Sequence, residues 1–443
     1  MHFSRSNREE DNSILEPPIP GLSSGSLVPK RERLKKGKGE ASGGTEGSEV
    51  ARQGGLRILG VIVDPELHWE HHIQHIEDKV KQKMGWLNRM STSVSGPNLH
   101  SMRHLYLTSV RPIISYACAA WFTLSADPKN PYPLKDGLIK RLDTLQTNCL
   151  KSIAGAFKTT SNLPLHKELN IPPIAVYLQK KAMAHRARNY ESDDYELLRR
   201  KTERFPHKAT LNCFKRHPLL ELYEAAGSLR DCAKAWWLDQ NDTVFWENPV
   251  SQGEAITKYM KRQALLLCRE LWEEFQSNEK KYWDTRIRKT TLGVQRRPVA
   301  TMGDWGPRNL KRYRGLNRAQ STILIQMRTG FIGLNSFLYP KGLADTHMCP
   351  CNQDAHTVEH LLFDCPLLSN ARRNLPIRQW LLKPIEIRRH LSPGLQIRGF
   401  CDLLDEFPGT VSTWAIHNFE LAQFVWTDRY MMDGPSTQSP YLR

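Results

Sequence analysis

Apolar residues recur through residues 56–190 with the spacing of strands and amphipathic helices. The β-branched run from Leu56 to Val63, ended by Asp64-Pro65, predicts a short strand. Apolar positions three or four residues apart then predict four helices, the second of which Pro112 should kink. These positions are Ile73, Ile76, Val80, Met84 and Leu87; Met102, Leu105, Tyr106, Val110, Ile113 and Ala117; Leu138, Leu142, Leu145, Cys149 and Ile153; and Ile174, Tyr177 and Leu178.

The rest of the chain divides into segments of different character. Residues 1–50 are rich in Ser, Gly, Pro and charge and are expected to be disordered. Residues 191–295 form a helical region of unknown role, with a helix predicted from Glu254 to Lys280 and tryptophans assigned to the core. Residues 296–375 form a basic arm followed by a cysteine-rich module, and 376–443 a helical extension with a loose tail. The predicted fold class is therefore mainly α, with one short strand.

Composition and charge exclude several classes of protein and favour one kind of partner. The 443 residues carry a net charge of +17, and 40% are hydrophobic, which excludes a wholly disordered chain, a collagen and a disulfide mini-protein. No apolar stretch reaches the length of a membrane span. The excess charge lies in residues 51–190 and 291–400, each with a net +10, while residues 1–50 are neutral overall. This distribution favours a polyanionic partner such as nucleic acid, and a merely basic surface is the alternative.

The cysteine-rich module has the pattern C-x-C-x8-H-x4-C, formed by Cys349, Cys351, His360 and Cys365. Three thiolates and one imidazole are a tetrahedral ligand set for zinc, and a site closed by four protein ligands is structural. His356 lies one helical turn before His360 and is the alternative ligand, although the spacing favours His360. Three clustered cysteines without a metal are the other alternative.

The arm before the module combines cations and aromatic residues. Its candidate nucleic-acid-binding residues are Arg296, Arg297, Trp305, Arg308, Lys311, Arg312, Tyr313, Arg314 and Arg318. Trp305 and Tyr313 are suited to stack on unpaired bases, with burial as the alternative. A second basic cluster, Lys30 to Lys38, is either a nuclear import signal or a solvated charge run.

No catalytic centre is recognisable. A polymerase needs carboxylates that place two divalent ions on the reacting phosphate. The only Asp-Asp pair, Asp193-Asp194, has the mixed-charge surroundings of a surface helix, and the sequence contains neither a P-loop nor G-x-S-x-G. The chain is therefore expected to bind rather than to catalyse.

Several motifs, taken in order, resemble the carboxyl-terminal part of the polyprotein of non-LTR (LINE-like) retrotransposons of filamentous fungi. They are Leu59-Gly60-Val61-Ile62-Val63-Asp64 with Leu67-His68-Trp69 and His72-Ile73; Leu105-Tyr106, Val110-Arg111-Pro112 and Tyr116-Ala117 to Trp121; Leu145-Gln146 to Ala154-Gly155 and Leu169 to Pro173; Gln326 to Gly330 with Leu334; and the cysteine motif. The resemblance implies a reverse transcriptase thumb-like region at 51–190 and a terminal CCHC zinc knuckle. It covers a little under half of the chain.

The resemblance also implies a function. The family's polymerase, an RNA-directed DNA polymerase, has its catalytic palm upstream of these motifs, so the chain is expected to be a truncated remnant. Its expected partners are RNA, an RNA–DNA duplex or DNA, and no membrane partner is expected. The expected location is intracellular and nuclear. Two alternatives are a host protein with a structural or protein-binding zinc module, and an active reverse transcriptase or ribonuclease H with unrecognised motifs. The oligomeric state is not predicted.

Overall fold

The computed structural model describes residues 55–64, 67–122, 134–204, 218–240, 249–287, 298–376 and 401–424. These residues form two compact units, and the smaller one consists of 183–204, 218–240 and 249–259. Both units are mainly helical, as the sequence predicts. The predicted disordered tail at 1–50, its Lys30 to Lys38 cluster and the loose tail from Gly434 lie outside the described residues.

The predicted strand is in fact a hairpin of two short strands. β1 (Leu56–Ile58) pairs antiparallel with β2 (Val61–Val63), with Leu56 opposite Val63 and Ile58 opposite Val61. The connecting residues Leu59 and Gly60 both have positive φ, 47° and 88°, which is the conformation of a two-residue type I′ turn. The sequence does not reveal this turn, because leucine rarely adopts a positive φ and the flanking residues read as one continuous strand.

Two long helices provide the framework of the larger unit. α1 (Glu70–Met90) buries the predicted stripe of Ile73, Ile76, Val80, Met84 and Leu87, and it packs against α5 (Asp136–Ala154). α5 buries all five predicted apolar positions and ends at Gly155, whose φ of 65° is typical of a helix C-cap. The periodicity of the sequence therefore predicted both faces correctly.

The predicted second helix is interrupted before Pro112. α2 (Leu99–Leu105) continues into a π-helical turn (Tyr106–Val110), followed by α3 (Arg111–Ile114) and α4 (Cys118–Trp121). Proline has no N–H to donate to the preceding turn, and a wider π turn is one way for a helix to accommodate the lost bond. The turn places the Tyr106 ring in the core, where its hydroxyl accepts a hydrogen bond of 3.1 Å from Gln146 Nε2.

The remaining helices complete the two units. They are α6 (Asn162–Glu168), α7 (Ile174–Arg188), α8 (Asp193–Arg204), α9 (Pro218–Gln240), α10 (Pro249–Ile287), α11 (Arg308–Lys311), α12 (Arg318–Thr329), α13 (Asn335–Leu338) and α14 (Pro408–Asn418), and residues 401–406 are also helical. α10 includes the helix predicted from Glu254 to Lys280 and is longer. The side chains of Trp237 and Trp272 are buried, as predicted.

α12 lies at the centre of the larger unit. Asn317 and Gln320 form a capping box at its start, and Gly330, with a φ of 73°, ends it. Every residue of α12 except Gln320 is buried, and the helix packs against α14. None of the described helices is both long enough and apolar enough to cross a membrane.

Candidate metal centre and the basic segment

A tight hairpin presents the first two cysteines of the module. Met348 and Ala355 form an antiparallel bridge, and Cys349 N–H donates a hydrogen bond of 2.9 Å to the carbonyl of Asp354. Asn352 N–H donates back to the Cys349 carbonyl at 2.8 Å, and the positive φ of Asn352, 57°, lets the chain reverse within these residues. The turn thus holds Cys349 and Cys351 next to each other.

A short helical segment supplies the other two ligands. Residues 358–359 are helical and lead into a π turn (His360–Asp364). Cys365 N–H donates a hydrogen bond of 2.7 Å to the His360 carbonyl, so the end of the turn returns the third thiol towards the imidazole. His360, Cys349 and Cys365 are buried.

The four side chains converge on one point. The sulfur atoms of Cys349 and Cys365 are 3.8 Å apart, and Cys351 Sγ lies 3.1 Å from His360 Nε2. All four ligand atoms lie within 4.8 Å of one another. In a tetrahedral zinc site with Zn–S bonds of about 2.3 Å, two sulfurs are about 3.8 Å apart. The cluster could therefore hold a metal ion of this kind.

Burial sets the protonation of the cluster in the absence of a cation. It raises the pKa of Cys349 to about 12 and also raises the pKa of Cys365. Burial lowers the pKa of His360, which favours the neutral imidazole that ligates metals. Three thiolates held this close together would repel one another, so the cluster is suited to a cation that neutralises them.

His356, the alternative ligand, has a different role. Its Nδ1 accepts a hydrogen bond of 3.2 Å from Asn335 N–H, and its carbonyl accepts one of 2.7 Å from the Ser336 hydroxyl. Burial lowers the pKa of His356 to about 4, so the ring stays neutral. His356 fixes the module to α13, and His360 is the histidine in the cluster.

The structure separates the predicted arm residues into three groups. Arg296 and Arg297 lie outside the described residues, and Arg308, Lys311 and Arg314 are exposed. Trp305 and Tyr313 are only 3% and 1% exposed. Both rings are therefore part of the core and are not available to stack on bases. The Trp305 ring packs edge-on against Trp272, with ring centroids 6.4 Å apart.

Arg312 and Arg318 are held within the protein. Arg318 is buried, and its guanidinium donates hydrogen bonds to the carbonyls of Thr92, Ser152 and Ile153. Arg312 Nη1 lies 3.1 Å from Glu168 Oε2, and its Nε lies 3.1 Å from Asp405 Oδ1. These cations contribute to the fold and have no free charge to offer a polyanion.

A buried ionic cluster explains this arrangement. Glu168, at the end of α6, is fully buried, and Arg328 of α12 holds it with two hydrogen bonds of 3.0 and 3.1 Å. The Tyr313 hydroxyl donates a third of 2.6 Å. Burial would raise the pKa of Glu168, but Arg328, Arg312 and Lys167 outweigh it and lower the pKa to about 2. We call Glu168, Arg312, Tyr313, Arg328 and Asp405 the Glu168 cluster.

An exposed cationic surface was missed by the sequence reasoning. Lys79, Lys83, Trp86 and Arg89 lie on the solvent side of α1, which we call the α1 cationic face. Trp86 is 60% exposed, and the Arg89 guanidinium lies 4.7 Å from the centre of its ring. The spacing of these residues at 79, 83 and 86, beside the apolar stripe of the same helix, is the signal that could have revealed the face.

The cations of this face are free of ion pairs with any carboxylate in the described parts of the chain. By contrast, Lys81 lies on another side of α1, 3.8 Å from Glu77 and 3.7 Å from Asp78. An exposed aromatic ring among unpaired cations can contact both the bases and the phosphates of a nucleic acid.

Comparisons with protein-family models, with curated proteins and with solved structures give no significant match for this chain.

Proposed function

We propose that the chain is a retrotransposon-derived nucleic-acid-binding protein whose cysteine module is a structural zinc knuckle. The proposal concerns binding and assigns no polymerase chemistry to any residue of this sequence. The observation that carries it is the α1 cationic face, because an exposed tryptophan among unpaired cations suits single-stranded nucleic acid better than it suits an apolar protein surface.

The resemblance to non-LTR retrotransposon polyproteins supports the same function. In that family α1 would belong to the thumb-like region, and Cys349, Cys351, His360 and Cys365 to the terminal knuckle. Arg308, Lys311 and Arg314 are exposed and supply further phosphate contacts. The expected ligands are RNA, an RNA–DNA duplex or single-stranded DNA, with single-stranded RNA favoured by the exposed ring.

Anisotropy of a labelled single-stranded RNA tests the binding. We expect the full chain to bind with an affinity that falls as salt rises. Trp86→Ala should weaken binding by about 1–3 kcal/mol, and Trp86→Phe should restore part of the loss, because a phenyl ring still stacks. Lys81→Gln is the matched control on the same helix. Absent or salt-independent binding would show that the proposal is wrong.

Metal analysis tests the knuckle separately. We expect one zinc ion per purified chain, and Cys351→Ser or His360→Ala should weaken zinc binding by more than ~100-fold, because each removes a direct ligand. His356→Ala is the control, since that ring bonds to Asn335 and lies outside the cluster, and it should retain the metal. Retention of zinc by His360→Ala and loss by His356→Ala would contradict the ligand assignment. Zinc without RNA affinity would instead favour a host zinc-module protein.

A further inference from the structure

A second set of cations lies around the ring of Tyr177, within the larger unit. The guanidinium carbon of Arg111, on α3, lies 4.1 Å from the centre of this ring. The ammonium groups of Lys180 and Lys181, on α7, lie 5.1 and 5.8 Å from the same point. Three cations from two helices therefore meet at one aromatic side chain.

Two further cations add to this group. Arg103 of α2 is close enough to Arg111 for the two charges to repel, and Lys261 of α10 repels Lys180 in the same way. Burial lowers the pKa of Lys180, and Arg111, Lys261 and Lys181 lower it further. We call Arg103, Arg111, Lys180, Lys181 and Lys261 the Tyr177 cation cluster.

These charges have no carboxylate partner within the ranges that the structure describes, where none of the five cations forms an ion pair with an acidic residue. In addition, the Nε of Arg111 is buried and donates no hydrogen bond there. In the Glu168 cluster, by contrast, buried cations are neutralised by two carboxylates, the buried Glu168 and the partly exposed Asp405.

Arg103, Arg111 and Lys180 are partly buried, and like charges held close together in such places repel one another, so a bound anion would stabilise this group of cations. Arg103 is held in place by hydrogen bonds of 2.7 and 3.0 Å to the carbonyls of Leu169 and Asn170. Lys181 and Lys261 are exposed, so an anion can reach the cluster from solvent. The tetrahedral oxygens of a phosphate accept several hydrogen bonds from arginine and lysine at once.

We propose that the Tyr177 cation cluster is a phosphate-binding site. The phosphate comes from a nucleic-acid backbone or from a free phosphate compound, since both present the same group. The first source rests on the proposed function and would place a second contact, separate from the α1 cationic face, along the bound strand.

Titration of the full chain with inorganic pyrophosphate tests the site, with thermal unfolding and calorimetry as readouts. Pyrophosphate should raise the melting temperature more than sodium chloride does at equal ionic strength. Lys180→Gln/Lys181→Gln should lose this rise and bind pyrophosphate about tenfold more weakly or worse. Lys140→Gln, an exposed lysine on α5, is the control and should behave as the unmodified chain.

The stability of the double variant gives an independent readout. Without pyrophosphate, Lys180→Gln/Lys181→Gln should melt at the same temperature as the unmodified chain or higher, because it loses like-charge repulsion. A misfolded variant would melt lower, so the two explanations for lost binding are distinguishable. A lower melting temperature together with unchanged pyrophosphate affinity would overturn the proposal.

Competition with labelled single-stranded RNA identifies the source of the phosphate. If pyrophosphate displaces RNA and the double variant binds RNA more weakly, the site holds the nucleic-acid backbone. If pyrophosphate binds without affecting RNA, the site holds a free phosphate compound. If the double variant and Lys140→Gln bind both pyrophosphate and RNA equally well, there is no phosphate site. The proposed function would still hold in that case, provided that RNA affinity depends on Trp86.

Discussion

Residues 51–190 and 291–400 each carry a net charge of +10, but among the described residues several of their cations have opposite environments. In the second stretch, Arg312, Arg318 and Arg328 turn inward and bond to carboxylates or backbone carbonyls. In the first, Lys83, Lys180 and Lys181 have no carboxylate partner among the described residues. Net charge along a sequence therefore counts cations without showing which of them are available to a ligand.

Physical chemistry accounts for the difference. A buried cation needs a compensating anion or a full set of hydrogen-bond acceptors. Arg312 and Arg328 have Glu168, which is distant in sequence, and Arg318 has three backbone carbonyls. An exposed cation is solvated and needs no partner, so it remains available for a polyanion at little cost. The comparison predicts that substitutions of the paired, inward-facing cations or of their carboxylate partners affect stability, and that substitutions of the exposed, unpaired cations affect binding.

The largest expected effect concerns the buried carboxylate. Glu168→Gln should lower the free energy of unfolding by about 3–5 kcal/mol, because Arg328, Arg312 and Lys167 would lose their compensating charge. Urea unfolding measures the loss. Glu254→Gln breaks the exposed pair with Lys258 and should change the free energy by about 0.5 kcal/mol at most. Equal losses in the two variants would contradict an internal role for Arg312 and Arg328, the cations that Glu168 pairs with.

Glu168 should also make the free energy of unfolding depend on pH. The pKa of Glu168 is lowered from 4.5 to about 2, so the unfolded chain takes up the proton first as pH falls. Its stabilisation is complete above about pH 4.5 and is lost progressively towards about pH 2. The free energy of unfolding, measured across this range, should fall more steeply in the unmodified chain than in Glu168→Gln. Identical slopes would argue against the charge cluster.

Two arginines on one short segment allow a matched comparison. Arg312→Gln should lower the free energy of unfolding by about 1–3 kcal/mol, since it breaks bonds to Glu168 and Asp405, and should leave RNA affinity unchanged. Arg314→Gln should change stability by about 0.5 kcal/mol or less because the side chain is exposed, and should weaken RNA binding. The reverse pattern would contradict the distinction between paired and exposed cations.

Local patterns in the sequence predicted the parts of the molecule that depend on local physics. The buried faces of α1 and α5 followed from helical spacing, and the C-x-C-x8-H-x4-C pattern named the four side chains that the fold brings together. The choice between His356 and His360 also followed from spacing. Each of these features is set by residues within one helix or one turn.

Features that depend on distant partners could not be predicted in this way. Tyr313 had the sequence context of a stacking residue, and only the fold shows that its hydroxyl bonds to Glu168, 145 residues earlier in the chain. The Leu59-Gly60 turn was hidden because its first residue adopts a conformation that leucine disfavours. The π turn before Pro112 likewise replaced the simple kink that proline predicts.

The central claim is that the free cations of the first stretch contact a polyanion and that the paired cations of the second do not. The salt dependence of single-stranded RNA affinity tests it most directly. Lys79→Gln/Lys83→Gln should reduce the slope of log affinity against log salt by about 1.4, that is ~0.7 for each lost phosphate contact, and Arg312→Gln should leave it unchanged. An unchanged slope in the lysine variant, or a reduced slope in Arg312→Gln, would contradict the claim.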